Sequence, residues 1–336
     1  MNLSALLQRA WRKRGVAAGC LLPLAAIFAT LVAVRRSLYR RNWLRSERLP
    51  VPVVVVGSIT VGGSGKTPLT LWLVEALCRH GLRPGIVSRG HGGAGKVSEV
   101  CSNSEANQVG DEPLLLRRRA QVPVFVGRDR VAAARALLAA HPECQLIVSD
   151  DGLQHYRLHR DVEIAVLDRR GVMNGWPLPA GPLREPQARL SQVAALVINT
   201  DRTAEADLEQ RPPRFVMRLL GSSFQALAEP RCSCGAADLT GKRLAALAGI
   251  GDPQRFFDQL RRLGLDCPCH PFPDHHPFTA GDLAGIEADA LLMTEKDAVK
   301  CAGLTNRPVW VLPVSAEVEP DLASLVMETL YGCSPA

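Results

Sequence analysis

The stretch from residue 53 to residue 68 constrains the fold of this chain more than any other. It opens with four consecutive valines, at positions 53–56, a run typical of a strand buried on both faces of a parallel sheet. A glycine-rich turn follows, and then Lys66-Thr67 opens a helical pattern. A strand, a glycine-rich loop and a helix N-terminus are the context of a phosphate-binding P-loop. The stretch therefore predicts a nucleotide triphosphate as the ligand.

The residue types in this turn match the chemistry of phosphate binding. Glycines let backbone N–H groups converge on phosphate oxygens, and the helix N-terminus adds partial positive charge. Lys66 is expected to reach the β- and γ-phosphates, and the Thr67 hydroxyl to hold Mg²⁺. Thr60 departs from the pattern G-x-x-x-x-G-K-[ST], which has its first glycine there. The predicted phosphate-binding residues are Gly62, Gly63, Ser64, Gly65, Lys66 and Thr67.

Aliphatic runs alternate with helical patterns through the rest of the first two thirds of the chain. Runs near residues 84–88, 122–127, 145–149, 162–167 and 194–199 read as strands, and strands alternating with helices predict a parallel sheet. The prediction is an α/β fold with a P-loop NTPase-like parallel sheet and helices on both faces.

A composition shift at residues 201–213 indicates a linker. Beyond it, strands near 243–250, 289–294 and 309–313 and an amphipathic helix near 253–264 predict a second, smaller α/β domain. The predicted domains are 1–48, an N-terminal membrane-anchoring helix with basic flanks, 49–212, the P-loop kinase domain, and 213–336, the smaller domain that closes the active site.

Residues 16–34 form an uncharged apolar segment between two arginine clusters. A cleaved signal peptide lacks support because no small-x-small site follows. A spanning helix needs about 20 apolar residues, so this segment is borderline. A helix in one leaflet, with arginines on anionic headgroups, fits the double basic flank best, and a core helix is the remaining alternative. The sequence therefore predicts membrane association and leaves its topology open.

The net charge of +7 and the low aromatic content bear on partners. With three Tyr in the chain, no signature of basic residues interleaved with aromatics appears, so no nucleic-acid partner is expected. No protein partner is predicted. The ten Cys do not form a disulfide framework, and the Cys-x-Cys pairs near 232–234 and 267–269 lack the usual zinc spacing, so idle thiols are favoured over a metal site.

Polar residues follow several of the predicted strands, where ligands of parallel sheets bind. Arg89 follows the strand near 84–88 and is a potential anion contact, with a solvated arginine as the alternative. Asp150 and Asp151 follow another strand and share the expected second Mg²⁺ contact. Asp111 and Glu112 precede a helix, where acids are commonly capping or dipole partners.

A proline-rich stretch at residues 174–186 cannot be a helix or a central strand. Long loops without secondary structure in compact domains tend to be functional. Its charged pair is Arg184 and Glu185.

Together these motifs resemble the tetraacyldisaccharide 4′-kinase family. The resemblance covers nearly the whole chain and rests on the order of Val-Gly-Gly-Ser-Gly-Lys-Thr-Pro, Ser-Arg-Gly, Gly-Asp-Glu-Pro, Asp-Asp-Gly-Leu-Gln-His, Pro-Ala-Gly-Pro-Leu-Arg-Glu, Asp-His and Thr-Glu-Lys-Asp-Ala-Val-Lys. It departs at His91, where the family usually has Tyr. It implies that ATP, with Mg²⁺, phosphorylates the 4′-hydroxyl of an acylated glucosamine disaccharide 1-phosphate, forming lipid IVA for lipid A. The implied location is the cytoplasmic side of the inner membrane.

The resemblance also implies roles for individual residues. Asp111 and His275 would form the pair that accepts the proton of the sugar hydroxyl, with Lys66 as the third catalytic residue. His275 is preferred over its neighbour His276 because it adjoins Asp274. The residues implied around the metal and phosphates are Thr67, Asp150, Asp151, Glu112 and Gln154, and those implied near the substrate or nucleotide are Arg89, His155, Arg184 and Glu185.

Two other classes of protein contain a P-loop and stay open at this level. A GTPase or nucleotide-dependent metallochaperone would need an N-K-x-D base-reading motif, and residues 198–201 and 294–297 hold only fragments of one. A membrane-tethered module that uses nucleotide binding as a switch would need no catalysis. Transfer of labelled phosphate to lipid separates a kinase from both.

Overall fold

The computed structural model of the chain describes residues 10–200, 207 and 211–332. The predicted linker at 201–213 lies largely outside the described residues. The helices α1 to α10 are Val16–Gly19, Leu22–Arg40, Lys66–Arg79, Ala106–Val109, Asp111–Ala120, Arg130–Ala140, Pro253–Arg262, Ala280–Ala284, Glu295–Cys301 and Leu322–Tyr331. The strands β1 to β15 are Val53–Gly57, Pro84–Ser88, Ser98–Glu99, Val124–Val126, Leu146–Asp150, Val162–Asp168, Ala195–Asn199, Arg214–Leu220, Ser223–Ala226, Ser233–Gly235, Leu244–Ala248, Cys269–Pro271, Ala290–Thr294, Val309–Leu312 and Ser315–Glu319.

The larger of two sheets has nine strands in the order β15-β8-β7-β6-β1-β5-β2-β4-β3. Its seven inner strands are mutually parallel, and the strands at its two edges pair antiparallel with their neighbours. The predicted parallel α/β sheet is confirmed, with an antiparallel strand added at each edge. The valine strand β1 lies between β6 and β5, in the middle of the sheet.

Helices cover both faces of this sheet, because β1 alternates its valines between two cores. Val54 and Val56 pack with residues of α3, α5 and α10 on one face. Val53 and Val55 pack with α6 on the other. A strand whose side chains are apolar in both directions has to be covered on both faces, so the valine run accounts for the layered architecture.

The smaller sheet has six strands in the order β10-β9-β14-β13-β11-β12. It has its own two apolar clusters, one on each face. The predicted second α/β unit is therefore present, but the chain crosses between the sheets more than once. Residues 214–220 and 315–319 pair in the large sheet, although the predicted boundary at 213 assigns them to the smaller domain. The division into three domains stays a prediction.

The N-terminal apolar segment forms two helices. The short α1 ends before α2, which begins at Leu22 with Pro23 in its first turn, a position that proline tolerates. Within the described residues, α2 is the one helix long and apolar enough to cross a membrane, and 6% of its apolar window is buried. It contacts the rest of the chain at its C-terminal end, where Arg36 donates to Gln192 and the ring of Tyr39 lies 5.8 Å from that of Tyr156.

Candidate active site

The P-loop has the local geometry that its glycines predict. Gly62 and Gly65 have φ of +99° and +94°, and α3 begins directly after Gly65. These left-handed angles favour glycine. A Cβ on Gly65 would also lie 2.2 Å from Nδ2 of Asn199, which donates to the carbonyl of Ser64 at 3.0 Å. The glycine-rich loop thus places Lys66 and Thr67 in the first turn of α3.

Thr60 replaces the first glycine of the motif without strain. It is not among the residues with positive φ, so its backbone does not need glycine. Its hydroxyl lies 2.9 Å from the buried hydroxyl of Ser58. Its main chain bridges to Leu183, which brings the proline-rich loop at 174–186 alongside the P-loop. That contact places the neighbouring Arg184 at the site.

A cavity of about 730 Å³ lies between the P-loop, the smaller sheet and α2. Its wall brings together residues that are far apart in the sequence. Of the predicted site residues, all of which the structure describes, Asp111, Asp150 and His155 lie outside the wall. Those that line it are Gly62, Gly63, Ser64, Gly65, Lys66, Thr67, Arg89, Glu112, Asp151, Gln154, Arg184, Glu185 and His275.

Asp111 and His275 form a hydrogen-bonded pair across the two sheets. Nδ1 of His275 lies 3.1 Å from Oδ2 of Asp111, and its Nε2 lies 3.2 Å from Nζ of Lys296. A lysine ammonium only donates, so Nε2 accepts and Nδ1–H donates to the carboxylate. His276 instead faces Asp282 at 3.2 Å. Of the two neighbouring histidines, His275 is the one that contacts Asp111.

The electrostatics of the pair follow from these contacts. Burial raises the pKa of Asp111, but the hydrogen bond with His275 and the charges of Lys296 and Lys300 outweigh it and hold this pKa below its ordinary value. The same hydrogen bond raises the pKa of His275, while burial and Lys296 oppose the rise. Asp111 is therefore an ionised acceptor at neutral pH, and His275 orients it.

Lys296 connects the smaller unit to the larger one. Its Nζ lies 2.9 Å from Glu112 and 3.2 Å from Asp274. Burial lowers its pKa, but these carboxylates and Asp111 more than offset that and leave the pKa above its ordinary value. Lys296 is thus a permanent cation between α5 and the loop that carries His275.

Asp151 lies on the cavity wall between two cations. Its carboxylate accepts from Arg184 at 3.0 Å and lies 3.7 Å from Nζ of Lys66. Burial raises its pKa, but Lys66 and Arg184 prevail and bring the pKa to about 2. Arg184 also lies 3.4 Å from Gln154. These contacts place Asp151 beside the P-loop lysine.

Asp150 lies behind this wall. Asp150 is 1% exposed, and its carboxylate accepts from the hydroxyl of Thr70 at 3.1 Å. Burial, with the nearby charges of Glu112 and Asp151, raises its pKa to about 7. Of the two aspartates that share the predicted metal contact, Asp151 faces the cavity.

Glu185 is held in the proline-rich loop by two donors. The amide of Gln154 donates to it at 2.9 Å, and the hydroxyl of Tyr156 donates to its other oxygen. His155 lies apart from this group, because its Nε2 accepts from the backbone of Arg130 at 3.3 Å and burial lowers its pKa to about 4. Its predicted role near the substrate stays a prediction.

Several residues at the site carried no individual prediction. Lys296 and Lys300 belong to the polar cluster that follows β13. The sequence signal that could have identified them is this cluster of charged residues after a strand. Asn199 supports the P-loop from the end of β7. Arg35 of α2 reaches the cavity wall and stacks 6.0 Å from the ring of Tyr156. No local pattern connects an N-terminal helix with residue 156.

A P-loop in the middle of a doubly covered parallel sheet, with a carboxylate–imidazole pair whose histidine lines the same cavity, defines a P-loop phosphotransferase. The family model described as tetraacyldisaccharide-1-P 4′-kinase, LpxK, matches residues 17–331. The chain therefore belongs to the tetraacyldisaccharide-1-P 4′-kinase family. This result confirms the resemblance and favours a kinase over the GTPase and switch alternatives.

Individual relatives agree with the family assignment. The tetraacyldisaccharide 4′-kinase of Azoarcus sp. is 53% identical over 97% of this chain and 96% of its own. That of Dechloromonas aromatica is 52% identical over 98% of both chains. Among solved structures, an LpxK from Aquifex aeolicus, described as a complex with ATP, has a TM-score of 0.80 and 28% identity, covering 94% of this chain and 100% of its own.

Proposed function

We propose that this chain transfers the γ-phosphate of ATP to the 4′-hydroxyl of an acylated glucosamine disaccharide 1-phosphate and so forms lipid IVA. The observation that carries the proposal is the Asp111–His275 pair, which lies next to the cavity that the P-loop opens into. The names of the relatives support the acceptor, and the ATP complex of the Aquifex relative supports the donor.

The geometry supports a direct transfer. The P-loop amides and Lys66 hold the β- and γ-phosphates. Asp111 accepts the proton of the attacking hydroxyl, and His275 keeps its carboxylate aligned by donating from Nδ1. The new bond forms between the sugar oxygen and the γ-phosphorus, the bond from that phosphorus to the bridging oxygen breaks, and ADP leaves. Positioning and charge neutralisation are the main contributions that phosphoryl transfer needs from a protein.

Mg²⁺ fits the donors that this chain offers. Within residues 10–200, 207 and 211–332, no group of three or more His, Cys, Asp or Glu side chains is arranged to hold a metal. Mg²⁺ is usually bound by one or two carboxylates together with substrate phosphates, so a complete protein cage is not required. When bound, Mg²⁺ would neutralise the negative charge that develops on the phosphate oxygens during transfer. The residues that would hold it are Thr67, Asp151, Glu112 and Gln154, with Asp150 behind them.

We further propose that α2 holds the enzyme at the cytoplasmic side of the inner membrane. Leu24, Ile27 and Leu31 on one side of the helix are 57–64% exposed, while Phe28 and Val32 line the cavity. An acceptor with several acyl chains stays in the bilayer, so anchoring raises the effective concentration of enzyme and substrate. The arginines that flank the helix would contact anionic lipid headgroups.

The decisive experiment mixes the purified full-length protein with γ-labelled ATP and the acylated disaccharide 1-phosphate in mixed micelles. We expect label in the lipid, and we expect Lys66→Ala to abolish it while the variant keeps the circular dichroism spectrum of the wild type. Hydrolysis of ATP or GTP without label in the lipid would contradict the proposal.

The membrane proposal has its own test. Co-sedimentation with vesicles that contain anionic lipid should retain the full-length protein and lose a variant without residues 1–40. Turnover of vesicle-bound acceptor should fall with binding. Unchanged binding and turnover in the truncated protein would exclude α2 as the anchor.

A further inference from the structure

Asp297 contacts the backbone of Gly249 and the side chains of Thr294 and Lys300, although it does not line the cavity. It lies in α9 and is fully buried. Its carboxylate accepts from the backbone N–H of Gly249 at 2.9 Å, from the hydroxyl of Thr294 at 2.7 Å and from Nζ of Lys300 at 3.0 Å. A buried carboxylate is unfavourable unless it is paired and hydrogen-bonded, and these three donors satisfy that condition.

The first contact leads to His275. The carbonyl of Gly249 accepts from the backbone N–H of His275 at 3.2 Å. His275 has φ of +60°, a conformation that residues other than glycine rarely adopt. Its backbone therefore depends on support from outside its own segment. Gly249, whose N–H donates to Asp297 and whose carbonyl accepts from His275, provides that support.

The packing around Gly249 makes this connection rigid. A Cβ at position 249 would lie 3.1 Å from Oδ1 of Asp297 and 3.2 Å from the carbonyl of Pro273. The glycine is thus enclosed between the carboxylate and the loop that carries His275. A displacement of Asp297 is transmitted to that loop.

The second contact leads to Asp111. Nζ of Lys300 lies 3.0 Å from Oδ1 of Asp297 and 3.9 Å from Oδ2 of Asp111. Lys300 therefore bonds to Asp297 and stays at a longer distance from Asp111. Without the carboxylate of Asp297, Lys300 would be free to pair directly with Asp111 and compete with the substrate hydroxyl.

We propose that Asp297 is a positioning residue for phosphoryl transfer, which aligns His275 through Gly249 and holds Lys300 away from Asp111. This inference rests on the proposed function, because it concerns the same Asp111–His275 pair. It differs from a purely structural role in one measurable respect: the effect of Asp297 on turnover has to pass through the pair.

The test is a double-mutant cycle in the lipid-phosphorylation assay, using the full-length protein. We expect Asp297→Ala to lower kcat by at least about tenfold and to change the KM for ATP less than about threefold, because general-base alignment is lost while the P-loop is intact. In an Asp111→Ala background, where the carboxylate that both routes serve is absent, the same substitution should lower kcat less than about threefold further. The matched control is Asp289→Ala, at the other end of β13, where Asp289 accepts from the backbone of Arg243 at 3.2 Å; its kcat should stay at the wild-type value.

Additive losses in the two backgrounds would overturn the proposal, as would an Asp297→Ala enzyme with wild-type kcat. Asp297→Asn covers the case in which the alanine variant does not fold, because asparagine keeps an acceptor for Gly249 and Thr294 and loses the charge that holds Lys300. We expect Asp297→Asn to lower kcat at least about threefold and Lys300→Met to restore it. A wild-type rate for Asp297→Asn would overturn the proposal.

The wild-type enzyme in the same assay separates the two levels of inference. No transfer by the wild type would refute the proposed function and this inference together. Transfer by the wild type with additive losses would refute the role of Asp297 alone.

Discussion

Gly251→Ala is the substitution whose effect the structure defines most directly. Gly251 lies in the loop between β11 and α7 of the smaller unit and packs on the P-loop. A Cβ at this position would lie 2.2 Å from the backbone nitrogen of Gly63 and 3.0 Å from its Cα. The φ of Gly251 is not in the left-handed region, so alanine is acceptable to its own backbone. The only obstacle is the P-loop.

The size of the effect follows from that contact. Ordinary van der Waals contact begins at 3.4 Å, so the loop has to withdraw from the P-loop by about 1 Å, and both partners are backbone atoms that cannot rotate away. A misplacement of about 1 Å in an active site can cost about 100-fold in rate. We therefore expect kcat/KM for lipid phosphorylation to fall by about two orders of magnitude, with little loss of stability.

The assay is steady-state transfer from labelled ATP, with thermal unfolding measured in parallel. The matched control is Gly281→Ala in α8 of the same unit, where the nearest atom to an added Cβ is 3.6 Å away and the rate should not change. A Gly251→Ala enzyme with wild-type kcat/KM would refute the reasoning, because the contact between loop and P-loop would then be irrelevant to catalysis. Equal losses in both glycine variants would point to a general effect on the smaller unit.

The remaining predictions concern the base, the buried acid and the unusual P-loop residue. His275→Ala should lower kcat by about 100-fold, and His276→Ala, measured in the same assay, should retain more activity than His275→Ala; the opposite order would exclude the assigned partner. Because the pKa of Asp150 is raised from 3.8 to about 7, its contribution to stability is present below pH 4 and lost as the pH rises through 7. Asp150→Asn should therefore raise the free energy of unfolding by on the order of 3 kcal/mol more at pH 8 than at pH 5, measured by urea unfolding; an equal change at both pH values would contradict the shift. Thr60→Gly should lower stability by about 1 kcal/mol, because it removes the bond to Ser58 and adds backbone freedom, and it should not raise kcat; a faster enzyme would mean that the missing glycine limits catalysis.

The large sheet and the P-loop follow from local patterns in the chain. A run of β-branched residues in β1 can only be a doubly buried strand, and left-handed turns at Gly62 and Gly65 need residues without a Cβ. The start of α6 after Asp129, whose side chain accepts from the first-turn amides, is also encoded within a few residues. Such features depend on short-range sterics and hydrogen bonds, so they can be predicted from the sequence alone.

The edge strands and the boundary between the units required the folded chain. Residues 315–319 pair with β8 at the edge of the large sheet, more than 100 residues after 194–199, the last strand predicted for the P-loop domain. The pairing of an edge strand depends on which sheet edges remain unpaired once the core has formed. The residue pattern of β15 does not specify that β8 is its partner.

The site likewise contains residues that motifs predict and residues that only the folded chain identifies. The Gly-Lys-Thr motif and the acids after β5 mark a phosphate and metal site without any coordinates, because parallel strands collect ligands at their carboxyl ends. The choice of His275 over His276, the separation of Asp151 from the buried Asp150, and the placement of Lys296 and Asp297 depend on distances of a few ångströms between segments 22 to 184 residues apart. Motifs specify which chemistry is available to this chain, and long-range packing specifies which of two neighbouring side chains performs it.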